Sequence, residues 1–187
     1  MDILTALGLS IPAGLNAYIP LLAVALAQRF GWLALREPLD ILGSWWMIAI
    51  IAVLLVVEIV ADKIPAVDHV NDVVQSVIRP TAGGIVAVAG SGSNSDVSAW
   101  LLVLMGVIFA GGVHAAKATS RTVVNASTGG IGAPAASTVE DTGAIALSAI
   151  AIAIPILVVF VVAAIIFGMW WLWHRERVKR RETERSE

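Results

Sequence analysis

"VEIVADKIPAVD", residues 57–68, follows the apolar run "WWMIAIIAVLLV" without transition. It sets Glu58, Asp62, Lys63, Pro65 and Asp68 where hydrocarbon is expected. Glu58 lies twelve residues past Trp46. At a rise of ~1.5 Å per residue that is about 18 Å into an apolar layer about 30 Å thick. Asp62 is one turn later on the same helix face. An ionised side chain at such depth is costly unless it pairs or meets water, so both carboxylates are expected to face the interior of a helix bundle.

The rest of the chain supports a membrane setting. Of 187 residues, 58% are hydrophobic and 14% charged, against roughly a quarter charged in soluble domains. No charge occurs between Asp141 and Arg175. The absence of cysteine excludes disulfides, thiolate metal sites and thiol nucleophiles. The N-terminus, "MDILTALGLS", lacks the basic start of a cleaved signal peptide, so the first segment is expected to remain as a helix.

The pattern predicts an all-α polytopic membrane helix bundle. Its single transmembrane domain covers 1–173, with four spans at about 3–28, 44–63, 100–118 and 142–173. A charged cytoplasmic tail follows at 174–187. The first span holds Gly8, Pro12, Gly14, Asn16 and Pro20 and should be kinked or locally unwound. Residues 66–80, "AVDHVNDVVQSVIRP", read as an amphipathic helix on the membrane or over the bundle. The segments 81–90 and 127–137 are apolar but too short to span, and are expected to re-enter or lie at the interface. Pro155 should kink the last span, and Trp170, Trp171 and Trp173 anchor its end.

The tail carries six Arg/Lys and four Glu, which predicts a cytoplasmic C-terminus. An even number of spans then puts the N-terminus there too. Arg29 and Arg36 fall outside in that scheme, Lys63 and Arg79 inside. The glutamates interleaved in the tail argue against a nucleic-acid patch.

An internal repeat is also expected. Trp46 to Lys63 and Trp100 to Lys117 have equal spacing, and "TAGGI" (81–85) resembles "STGGI" (127–131). Acidic residues precede the following spans: Asp96 in one unit, Glu140 and Asp141 in the other. The two units would have inverted topology. Gly-interrupted segments in matching halves, here Gly83, Gly84, Gly129 and Gly130, point to a transporter-like site.

His114, Lys117 and Arg121 share one helix face. The functional reading is a polar path for an ion or small solute, using Glu58, Asp62, Lys63, Asp68, Arg79, His114, Lys117, Arg121 and Asn16. Glu58 would be a proton or cation site, His114 a relay, and Lys117 or Arg121 an anion contact. In the inverted arrangement, His114 approaches the outer side and Glu58 the inner side. The alternative is a non-catalytic scaffold or partner subunit in which the charges pair and fix helix register. No metalloprotease, phosphate-loop or nucleophile-elbow motif occurs, and no cofactor is implied. His69 with Asp68 and Asp72 reads as a solvated helix face and not as a metal site. The lipid bilayer and further copies of the chain, as a homo-oligomer, are the expected partners.

"GLNAYIPLL" (14–22), "SWW" (44–46), "ADKIPAVD" (61–68), "RPTAGG" (79–84) and "STGGIGAPAASTVED" (127–141) together resemble a family of bacterial membrane proteins, domain of unknown function 4126. The resemblance covers nearly all of residues 3–150. It implies a multi-pass protein of the bacterial inner membrane and nothing about substrate. The chain has Ala133-Pro134 where Asn-Pro is expected in relatives.

Overall fold

The computed structural model describes residues 3–93, 95–129, 131–158, 160, 163–164, 167 and 171, with the backbone alone at 65–69. Among the described residues six α-helices are delimited: α1 (Ile3–Leu15), α2 (Tyr18–Arg29), α3 (Trp45–Ala61), α4 (Pro65–Gly90), α5 (Ala99–Thr128) and α6 (Ala133–Ala153). A short 3-10 turn, Leu39–Gly43, precedes α3, and no strand occurs among the described residues. Three helical stretches are long and apolar enough to cross a membrane: Val70–Gly90, Ala99–Thr128 and Ala133–Ala153. Helices α1, α2 and α3 are apolar but shorter.

The first segment is not one kinked span but a hairpin of two short helices. A straight helix from Ile3 to Arg29 would be about 39 Å long. Instead, Ile3 lines the same cavity, about 460 Å³, as Trp32, Leu33 and Ala34. The turn is made by Asn16. Its Oδ1 accepts from the backbone N–H of Tyr18 (3.1 Å) and Ile19 (3.2 Å), which caps the first turn of α2. Pro20 falls in that first turn, where a proline costs no helical hydrogen bond. At the end of α1, the carbonyl of Leu15 accepts from Lys117 Nζ at 2.8 Å, which satisfies one of the carbonyls a helix end leaves open.

Residue pairs give the direction of each helix. Asn16 meets Asp141 while Gly8 lies against Ala151, so α1 and α6 are antiparallel. Arg79 meets His114 and Gly83 meets Gly106, so α4 and α5 are antiparallel as well. One end of the bundle gathers Ile3, residues 32–34, 91–93 and 95–97; call it the rim. The backbone N–H of Ser93 donates to Ala34 at 2.9 Å. Residues 29–43 and 91–98 therefore share one side, contrary to the alternation read from four spans.

Helix α4 is the second correction. Residues 66–80 and 81–90 are not a surface helix and a separate short segment. They form one continuous helix of 26 residues with Pro80 inside it. Its amphipathicity is turned inside out. Val70, Val73, Val74 and Val77 are exposed, whereas Gln75 and Arg79 are buried. The same holds for α3, where Val53, Val56, Val57 and Val60 face outward and Glu58 and Asp62 inward. An apolar exterior around a charged interior is what a helix bundle in lipid requires.

Close packing joins α4 to α5. The Gly83 and Gly106 backbones touch so closely that a Cβ on either would collide with the other helix, as at small-residue crossings in membranes. Residues 127–137 likewise form no separate segment. Thr128 ends α5, Gly129 closes it in the left-handed conformation (φ 62°) and α6 begins at Ala133; Gly130 lies outside the described residues. The two Gly-Gly-Ile stretches thus have unlike settings, one inside a helix and one at a turn, so they do not mark matching re-entrant segments. Helix α6 ends at Ala153, before an extended Ile154 (φ −144°) and Pro155, which disfavours helix in the residue ahead of it. Trp170, Trp173 and the tail at 174–187 lie outside the described residues.

Candidate functional site: a buried charge cluster

Four helices and the tip of the α1–α2 hairpin bring the ionisable residues together. Helix α3 ends with Glu58 and Asp62 directed at α4. The Arg79 guanidinium donates from Nη2 to Glu58 Oε1 at 3.0 Å and lies 3.6 Å from Asp62 Oδ2. Its Nη1 is 3.0 Å from His114 Nδ1 and 3.9 Å from Asp72 Oδ1. Guanidinium can only donate, so Nδ1 accepts and the imidazole proton sits on Nε2. Arg79 and Glu58 are among the largest fully buried side chains in the protein.

Asp62 is the most connected carboxylate. Oδ1 accepts from Asn71 Nδ2 at 2.7 Å. Oδ2 lies 3.4 Å from both Lys117 Nζ and Arg121 Nη2. Those two cations also meet Glu140 Oε2, each at 3.0 Å. Asp141, one residue on, accepts from Asn16 Nδ2 at 3.0 Å and lies 4.0 Å from Lys63. Helix ends reinforce the pairing. The Lys117 ammonium sits at the C-terminal end of α1, and Asp141 faces the capping residue of α2, each sign matching the local helix dipole.

Access to the cluster is graded. Side-chain exposure is 0% at Arg79 and 1% at Glu58, rising to 14% at Glu140, 22% at Asp72 and 40% at Lys63. The open side faces away from the rim. Toward the rim, α4 and α5 close at Gly83 and Gly106.

Of the residues singled out from sequence, Glu58, Asp62, Lys63, Arg79, His114, Lys117, Arg121 and Asn16 meet in this one cluster. His114 and Glu58 do not approach opposite sides: both bond to Arg79 and lie at one level. Asp68 stands in the first turn of α4, with its side chain outside what is described. Gly83 forms the crossing above the cluster, Gly84 packs on Val103 and Val107, and Gly129 serves the α5–α6 turn. Sequence reasoning did not place Asn71, Asp72, Glu140 or Asp141 in the site, where each meets a charged or polar partner. The available signal was their helical spacing: Asp72 and Arg79 are seven residues apart, as are Ala144 and Ser137 around Asp141 on the buried stripe of α6.

No curated protein and no solved structure matches the chain. A family pattern does, over residues 3–175. The apolar helices fit a membrane protein, and the chain belongs to the family described as domain of unknown function (DUF4126).

Proposed function

We propose that this protein passes an ion or small solute across the cell membrane, with the Glu58–Arg79–Asp62–Lys117 network as its point of passage. The observation that carries the reading is the graded access: a charged interior open on one side and closed at a glycine crossing on the other. A buried network this large is expensive to maintain for packing alone, since apolar residues of similar volume are often as stable or more so. The active form is a homo-oligomer in the bilayer, with both termini in the cytoplasm. The test is flux into liposomes holding the purified protein, over a panel of ions, for the wild type and Glu58→Gln. Flux abolished in a variant that still folds supports passage. Absence of flux for every ion in the wild type removes it.

A scaffold or partner-subunit role is the second reading. It is favoured by Asp62, which contacts three cations and Asn71. In that case Glu58→Gln changes thermal stability in detergent and nothing else.

A further inference from the structure

Among the described side chains, five carboxylates (Glu58, Asp62, Asp72, Glu140 and Asp141) face four cations (Lys63, Arg79, Lys117 and Arg121) within 4.0 Å. Among these described groups the carboxylates outnumber the cations by one, in a site largely withdrawn from water, and such a surplus is neutralised when a proton or another cation binds.

The surplus can be localised. Asp62 has partners on both oxygens, and so does Asp141. Glu140 meets two cations; Asp72 Oδ1 lacks a hydrogen-bond partner among the described residues, but it lies 3.9 Å from Arg79 and its side chain is 22% exposed. Glu58 differs from Asp62, Asp141 and Glu140 in its partners, and from Asp72 in its burial, at 1% side-chain exposure against 22%. Among the described residues its one paired cation is Arg79, which also serves Asp62, Asp72 and His114. Its Oε2 is buried and has no hydrogen-bond partner among the described residues. The groups around it are Asp62 on its own helix, Asp72 and Arg79 from α4, His114 and Lys117 from α5, and Tyr18 from α2.

We infer that the ion handled by this cluster is the proton, bound reversibly at Glu58 Oε2. The inference rests on the passage reading and names its ion. A metal cation at Glu58 would sit beside the Arg79 guanidinium, 3.0 Å from Oε1, and be repelled by it. A proton needs no added volume and leaves the Arg79 contact on Oε1 in place. The step is a plain transfer. An O–H bond of hydronium arriving from the Lys63 side breaks, an O–H bond forms on Oε2, and water departs. Release runs in reverse.

The experiment is infrared difference spectroscopy on the purified protein in liposomes at neutral pH. A protonated carboxyl gives a C=O stretch distinct from carboxylate and shifted in heavy water. It is expected in the wild type, moved by 13C-glutamate and not by 13C-aspartate labelling, lost in Glu58→Gln and kept in Asp72→Asn. Labelling of the wild type keeps the test valid if Glu58→Gln does not fold. A wild type without the band, or a band moved by labelled aspartate, overturns the inference. A dye trapped in the same liposomes reports proton entry under an imposed gradient. A Glu58 band without any dye response supports the proton site while removing the passage reading. Dye response without the band removes the site and keeps passage.

Discussion

Arg79 holds Glu58 across the α3–α4 pair at 3.0 Å, both side chains out of contact with solvent. The two residues are 21 positions apart and are brought together by the tight turn before Pro65, which starts α4 where a missing N–H costs nothing.

Removing Arg79 alone should cost more than removing it together with Glu58. Arg79→Met leaves Glu58 and Asp72 without their described cation, and breaking a buried pair in this way costs roughly 3–5 kcal/mol. The double variant Glu58→Gln/Arg79→Met should recover the part of that loss due to Glu58, while Asp72 stays without Arg79. Thermal unfolding in detergent for the four members of the cycle checks this. Equal losses in the single and double variants would mean that the pair is not coupled.

The hairpin makes a topological prediction. The native chain has no cysteine, so single cysteines report cleanly. Glu37→Cys and Ser93→Cys should react from the same side of the membrane, and Ile131→Cys, fully out at the α5–α6 turn, from the other. Reaction of residues 37 and 93 from opposite sides would restore a first segment that crosses completely.

Asn16 should be intolerant of change for two separable reasons. Asn16→Ala removes the cap of α2, a loss of about 0.5–2 kcal/mol, and also the bond to Asp141. Asn16→Asp keeps the capping oxygen but sets a second carboxylate against Asp141. Both variants should lower the unfolding temperature, and Asn16→Asp should regain stability when combined with Asp141→Asn. No recovery in that pair would show that the 3.0 Å contact does not hold the hairpin tip.

Which residues enter the charged interior was largely readable, because an ionisable group inside an apolar run has few places to go in lipid. Glu58, Asp62, Lys117 and Arg121 carry that signal on their own. The path of the chain was less readable. Residues 3–28 are long enough to span, and a kink at Asn16 and a reversal at Asn16 look alike in sequence. What decides between them is Asp141, 125 positions away. Helix α4 misled for a related reason. Its valine face and polar face are equally plain in either orientation, and only the partners of Arg79 tell which one points inward. Paired Gly-Gly-Ile stretches carry no such tertiary information, so their likeness in sequence says nothing about their surroundings.

The last prediction concerns two glycines six residues apart on α5. Gly106 lies against the Gly83 carbonyl, and a Cβ there would meet backbone and the Ala87 side chain. Gly112 has nothing within 4 Å of the same position. Both are helical, so the propensity gain on going to alanine is equal, about 0.5–1 kcal/mol. Gly112→Ala should therefore stabilise the protein by about that amount. In Gly106→Ala the gain is outweighed by forcing α4 and α5 apart, at a cost of about 1–3 kcal/mol typical of overpacked interiors. If the crossing is also what closes the cluster toward the rim, Gly106→Ala should raise the passive proton leak of liposomes, and Gly112→Ala should not. Unfolding temperature and leak rate, read on the same two preparations, check both parts. Loss of stability in Gly106→Ala with no added leak would leave the crossing as a packing contact and assign the closure to some other part of the bundle.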